Sequence, residues 1–166
     1  MCDKKIDIRA ADKSDCKDIY AWRSDIVSRT MFFNSNIPTY EEHFQWFNSS
    51  LINKDRKLYI GEIGTTKIGV CRFDHDTKSD VVEVSINMNP KCRGRGYGKC
   101  LLASSIKAFQ QIYNTEFLAK IKPENLENVE NMLRKDSIHF DKLGLVNSDK
   151  ITYGNDLKIS IKDLKE

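Results

Sequence analysis

Apolar and polar positions recur with recognisable periods along nearly the whole chain. At 5–10, Ile6 and Ile8 alternate with charged residues, which predicts a first strand. Asp12 or Ser14 is placed to cap a helix carrying Ile19, Tyr20 and Trp22. The pattern breaks into a loop at 34–39. Thr39 then opens a second helix, with Glu42 completing a capping box. Tyr40, Phe44, Phe47 and Leu51, spaced four, three and four, predict its apolar face. Segments 57–63 and 67–73 predict a hairpin that turns at Gly64, Thr65 and Thr66. A loop rich in Asp, Lys and Ser (74–80) leads into a strand at 81–88. A glycine-rich loop follows at 94–98, and then a helix at 99–113 with Leu102, Ile106, Phe109 and Tyr113 on one face. A strand at 117–121 stops before Pro123. A long helix is expected from about 126 to 143, ending at Gly144. The tail, 150–163, offers one or two strands around Tyr153, Gly154 and Asn155. No repeat or low-complexity stretch interrupts this order, which predicts one mixed α/β (α+β) domain over 1–166.

Composition narrows the class. The chain has 166 residues, 40% apolar and 31% charged, enough apolar material for one core and too much for a disordered chain. No apolar run is long enough to span a membrane, and 1–9 lacks the apolar stretch of a secretory signal. The net charge of +3, from 27 basic and 24 acidic residues, does not suggest a nucleic-acid binder. Cys2, Cys16, Cys71, Cys92 and Cys100 are odd in number and widely spaced. With only His43, His75 and His139 beside them, no zinc pattern can be assembled. Reduced thiols and a cytoplasmic location are expected.

The chemistry concentrates between Val81 and Leu102. Along this strand Val82, Val84, Ile86 and Met88 alternate with Glu83, Ser85, Asn87 and Asn89, so one face is polar throughout. Either the strand is an edge with a solvated face, or that face lines a cleft. The strand runs into Arg93-Gly94-Arg95-Gly96-Tyr97-Gly98 and directly on into a helix. Glycines let a backbone turn its N–H groups inward, and a helix N-terminus adds unpaired donors and the positive end of its dipole. Lys91, Arg93, Arg95 and Lys99 add charge, with no acid among them. The combination is a seat for phosphates. Its spacing is neither the G-x-G-x-x-G of dinucleotide folds nor a P-loop.

Arg93-x-x-Gly96-x-Gly98 between a strand and a helix resembles the pyrophosphate-binding motif of the GNAT N-acetyltransferase superfamily, Q/R-x-x-G-x-G/A, and the order of elements fits over nearly the whole chain. The resemblance implies a mixed central sheet of about six to seven strands flanked by about four helices, with a splayed central strand pair. It implies acetyl-coenzyme A as cosubstrate and no metal. The pyrophosphate would lie on the amides of Gly94, Arg95, Gly96, Tyr97, Gly98 and Lys99, with Arg93 and Asn125 nearby. The pantetheine arm would lie against Ile86, Asn87 and Met88. It implies Glu83, ten residues before the motif's Arg, as general base, and a backbone N–H near Asn87 or Met88 as donor to the thioester oxygen. The family's usual acid is a Tyr four residues before the glycine that ends its last helix. Phe140 stands there, so His139, a shifted Tyr113 or Tyr153, or water would take that role.

A second pattern bears on the acceptor. Trp22-Arg23, Arg29-x-Met31 and Glu42-His43-x-x-Trp46 resemble the sugar-nucleotide N-acetyltransferases of bacterial nonulosonic-acid synthesis, which include the enzyme that acetylates a UDP-linked 4-amino-4,6-dideoxy sugar on the route to pseudaminic acid. That resemblance implies Trp22, Arg23, Arg29, Tyr40, His43 and Trp46 as substrate-binding residues, with aromatic faces for rings and cations for phosphates. The expected partner is a small-molecule amine, a nucleotide sugar, with neither nucleic acid nor membrane, in a possible homodimer. Acetyltransferases of ribosomal-protein N-termini share the Trp-Arg feature. The alternatives are therefore a protein N-terminal or small-amine acetyltransferase and a non-catalytic acyl-coenzyme A-binding domain.

Overall fold

The computed structural model describes residues 4–32, 34–113, 116–121, 138–143 and 155–161. Strand β1 (Asp7–Ala10) leads into a short 3-10 turn, Lys13–Asp15, and helix α1 (Cys16–Ser24). Asp12 caps the turn, accepting from the Ser14 amide, while its own N–H donates to Asp15. Helix α2 (Ile26–Met31) follows at once. The pattern at 16–31 does not announce this break, which Asp25 makes by capping the Val27 and Ser28 amides. Helix α3 (Tyr40–Ile52) starts at the expected capping box, with Thr39 and Glu42 bonded reciprocally. Its buried face is His43, Phe47 and Ser50, rotated from the expected stripe. Tyr40 and Phe44 are exposed, so a run of aromatics misreports which side meets the sheet.

Strands β2 (Arg56–Ile63), β3 (Thr66–Asp76) and β4 (Val81–Met88) form an antiparallel meander, with β1 paired to β2. The β2–β3 turn falls at Gly64, where φ is +59°. A 3-10 turn, Pro90–Cys92, then leads through the glycine loop to helix α4 (Tyr97–Gln110). Strand β5 (Glu116–Ile121) pairs parallel to β4, and the last described strands are β6 (Ile138–Leu143) and β7 (Asn155–Ile161). The sheet order is β1-β2-β3-β4-β5-β7-β6.

Strand β6 corrects the long helix expected over 126–143. Ile138-His139-Phe140-Asp141 alternates apolar and polar with the two-residue period of a strand, and β6 pairs with β7 from Ile138–Ile161 to Leu143–Asp156. Residues 122–137 lie outside the described residues.

Two cores cover the two faces of the sheet. On one face α4 packs Leu101, Leu102, Ile106 and Phe109 onto Cys71, Phe73, Val82 and Val84, with Phe73 and Phe109 stacked at 4.6 Å. On the other, α1 and α3 pack Ile19, Trp22 and Phe47 onto Leu58, Ile60 and Val70. Gly69 lets α4 come close. A Cβ there would sit 2.8 Å from the Asn87 carbonyl oxygen and 2.9 Å from Leu101. Among the described residues, no helix is long and apolar enough to cross a membrane.

Candidate active site

The two faces of β4 have different roles. Val82 and Val84 are buried against α4, whereas Glu83, Ser85 and Asn87 point towards α1 and α3. β4 lies between β3 and β5, so it is not an edge strand. Among the described residues its pairing with β5 covers only Val81–Glu116, Val82–Phe117 and Glu83–Leu118. Both strands run on, β4 with β3 and β5 with β7. The sheet therefore forks just past Glu83. In an antiparallel pair every second residue turns its N–H away from its neighbour, so within Val84–Met88 some N–H groups face the fork.

The glycine loop stands at the end of β4. Gly94 and Gly96 have φ of +70° and +74°, a region that side chains rarely adopt, and Gly96 is the N-cap residue just before α4. A Cβ at either would meet nothing within 4 Å, so the loop is open on that side. The first amides of α4 have no partner within the helix. With Lys91 and Arg95 exposed, the donor set suits a pyrophosphate: backbone amides, a helix N-terminus and cations. Tyr97 holds its ring under Lys4 Nζ at 4.4 Å, and that ammonium also donates to the Arg95 carbonyl.

Arg93 is engaged elsewhere. Its guanidinium donates to Asp25 Oδ2 at 2.6 Å and to Ser28 Oγ at 2.6 Å, and Ser28 Oγ donates in turn to Asn87 Oδ1 at 3.0 Å. This relay fastens the loop to α2 and α2 to β4. Arg93 therefore acts as a tie, because Asp25 already neutralises its charge. Asn87 likewise serves this relay, while Ile86 and Met88 pack against the α4 core. Asn125 lies outside the described residues.

On the α1–α3 side of β4 is a small, half-open cleft. Its floor is Leu58, Val70, Ser85 and Asn87, and its walls carry Arg23, Phe32, Trp46 and Arg72. The Arg23 guanidinium lies over the Phe32 ring at 5.1 Å, and Arg56 lies over Trp46 at 5.5 Å. Arg72 Nε is 2.8 Å from Asp74 Oδ2, out of line for a hydrogen bond, and Asp74 also pairs with Arg56. Glu83 lies directly across from Asp74, at the fork end of this face.

Of the residues expected to bind substrate, only Arg23 and Trp46 line the cleft. Trp22 is buried in the core under α1. His43 is buried too. Its Nε2 lies 3.0 Å from the Cys16 carbonyl, and its ring packs among Tyr20, Trp46 and Phe47. Burial pushes its pKa down, so it is a neutral core histidine. Tyr40 packs edge-on against Tyr20 at 5.3 Å, and Arg29 donates to the Ser35 carbonyl at 3.3 Å; neither reaches the cleft lining. His139 is corrected with its helix. It sits on the outer strand β6, with β5 and β7 between it and β4. Three strand spacings, about 14 Å, separate its backbone from that of β4. Ser85 belongs to the polar face of β4 that the alternation marked as a possible cleft wall, whereas Arg72 and Phe32 went unnoticed in the sequence. The one available signal was Arg72 itself, a cation flanked by two core residues, Cys71 and Phe73.

The family model for the GNAT acetyltransferase domain matches residues 5–134. The chain belongs to the GNAT acetyltransferase family. By class the domain is an acetyl-coenzyme A-dependent N-acetyltransferase. Solved structures of similar fold include a chimera of Vibrio cholerae spermidine N-acetyltransferase SpeG with hSSAT, at 17% identity and a TM-score of 0.73, covering 94% of this chain and 93% of that one. The protein yncA of Salmonella typhimurium, solved with its cofactor acetyl-CoA, is 20% identical with a TM-score of 0.68, covering 94% and 92%. The ribosomal-protein-alanine N-acetyltransferase of Brucella melitensis is 21% identical with a TM-score of 0.70, covering 92% and 96%. These likenesses concern the fold. A 62-residue stretch, 36% of the chain, is 36% identical to phosphoribosylformylglycinamidine synthase subunit PurL of Pelagibacter ubique, and the chain spans 8% of that protein's length.

Proposed function

We propose that the protein acetylates the primary amine of a small molecule, the amino group of a nucleotide-linked amino sugar, within a single acetyltransferase domain. The observation that carries this reading is the position of the aromatic and cationic cleft beside the polar face of β4, at the fork that begins at Glu83. Bound acetyl-coenzyme A supplies the acetyl group. The amides from Gly94 to Lys99 hold its pyrophosphate, and the fork gives its pantetheine arm a path between β4 and β5. Glu83 takes the proton from the acceptor's amine through water. The freed nitrogen lone pair forms the bond to the acetyl carbon as the bond from that carbon to sulfur breaks. Backbone N–H groups of β4 that face the fork donate to the carbonyl oxygen as charge gathers on it. As the amide forms, the nitrogen gives its second proton to water, and the leaving thiolate takes a proton from water, so the reaction needs no side-chain acid. Trp46 and Phe32 offer faces to a base or sugar ring, and Arg23 offers charge to a phosphate.

The reading is tested by thiol release from acetyl-coenzyme A with a UDP-linked 4-amino-4,6-dideoxy sugar, an N-terminal ribosomal-protein peptide and spermidine as acceptors. The expected result is turnover of the sugar nucleotide with at least a tenfold higher kcat/KM than of the other two (about 1.4 kcal/mol). A peptide turned over best would overturn the sugar in favour of protein N-terminal acetylation. No turnover with any amine would leave an acyl-coenzyme A-binding domain.

A further inference from the structure

Charge is unevenly spread along the cleft. Arg23 is half-buried over Phe32 and pairs with no carboxylate among the described residues. Burial and the like charge of Arg72 both push its pKa down, so its charge has lost solvation without gaining a counter-ion. Arg72 shares its one carboxylate, Asp74, with Arg56. Asp74 thus serves two guanidiniums, and Arg23 stands beside them with no carboxylate of its own among the described residues. The acids of this face, Asp74 and Glu83, are opposite each other towards the fork, and the Arg23–Phe32 pair lies at the α1 side. Arg72 is between, two residues from Asp74 on β3 and directly across from Ser85. The cleft lining is therefore cationic, with Arg23 and Arg72 in it, while Asp74 and Glu83 stand outside the lining on the same face of the sheet.

We infer that the acceptor is an anionic amine, its carboxylate or phosphate held by Arg23 and Arg72, its body against Phe32 and Trp46, and its amine directed along β4 towards Glu83. The inference rests on the acetyl-transfer reading and narrows it. The anion supplies the counter-charge that Arg23 lacks and that Arg72 shares with Arg56 through Asp74, and a polyamine is rejected because the same pair repels it. Arg72 is then a specificity-determining residue.

The test is calorimetric binding of a matched series to the full chain loaded with coenzyme A: glucosamine, glucosamine 6-phosphate, glucosaminic acid and spermidine. At least one anionic member is expected to bind about tenfold or more tightly than glucosamine, with spermidine weakest; which anion binds better distinguishes phosphate from carboxylate. Arg72→Gln is expected to reduce the preference about tenfold and Arg72→Lys to recover part of it. Arg23→Gln reports on the same charge should Arg72→Gln fail to fold, with retained coenzyme A binding as the sign of a folded variant. Equal binding of glucosamine and both anionic members, stronger binding of spermidine, or no binding of either anion would overturn the inference. A wild-type chain that fails to bind acetyl-coenzyme A would instead overturn the acetyl-transfer reading.

Discussion

Glu83 stands at the last position where β4 still pairs with β5, facing the side of the sheet that carries the cleft. Its proposed role as base gives a clear expectation. Glu83→Gln should lower kcat about a hundredfold, change the shape of the pH–rate profile, and leave acetyl-coenzyme A affinity within about twofold. An unaltered profile would clear Glu83 of that role. His43 makes the opposite case. The sequence pairs it with Trp46 on one side of α3 and so offers it to the substrate, but its ring is packed in the core. His43→Ala should cost about 2–3 kcal/mol in urea unfolding and leave the acceptor KM as it was. Burial also holds the neutral form of His43, so the unfolded chain binds its proton more readily. Its contribution is present above about pH 6.5 and declines as pH falls below that, a dependence the variant should lose. One dimension of pattern cannot separate these two residues, because a core His and a cleft His obey the same helical spacing.

At the scale of elements, Asp15 shows how the α1 end of the sheet is held. Its buried carboxylate accepts from both Arg9 nitrogens at 2.7 and 2.8 Å, from the Asp12 amide at 2.9 Å, and meets Lys67 Nζ at 2.8 Å. One group thus joins β1, the turn before α1, and β3. Burial pushes its pKa up, but the Arg9, Asp12 and Lys67 contacts together outweigh it and hold the group at about 2, down from 3.8. A depressed carboxylate stabilises the fold above its unfolded pKa. About 2 kcal/mol should therefore be present above about pH 4 and be lost as pH falls towards 2. Acid titration followed by circular dichroism checks this, and Asp15→Asn should remove that part of the acid limb. Most elements were legible because their signals are local: the Thr39–Glu42 box, the turn at Gly64, the alternation along β4. The α1–α2 break was not, because Asp25 caps α2 with the same carboxylate that pairs with Arg93, far away in sequence. Strand β6 is hidden in the sequence because Gly144 has the form of a helix stop, although Ile138-His139-Phe140-Asp141 alternates with the period of a strand.

For the molecule as a whole, two features have to coincide for acetyl transfer: a seat for the coenzyme and a cleft that delivers an amine to it. The proposed seat is drawn from a single turn, because glycines, cations and a helix start within nine residues are a local code. The second was only half readable. The cleft is assembled from α1, the end of α2, α3 and the middle of the sheet, so Arg72 and Phe32 meet Arg23 only once the chain has folded. The relay from Arg93 through Asp25 and Ser28 to Asn87 links seat and cleft directly. The central claim is that the backbone around Gly96 holds the coenzyme's pyrophosphate. A valine at φ of +74° costs roughly 1–2 kcal/mol and turns the first amides of α4 out of place. Titration calorimetry of acetyl-coenzyme A against the wild-type chain and Gly96→Val, with unfolding curves confirming that both are folded, tests the claim most directly. The expected result is binding by the wild type and at least a tenfold loss in the variant; equal affinity for the two proteins would contradict the account.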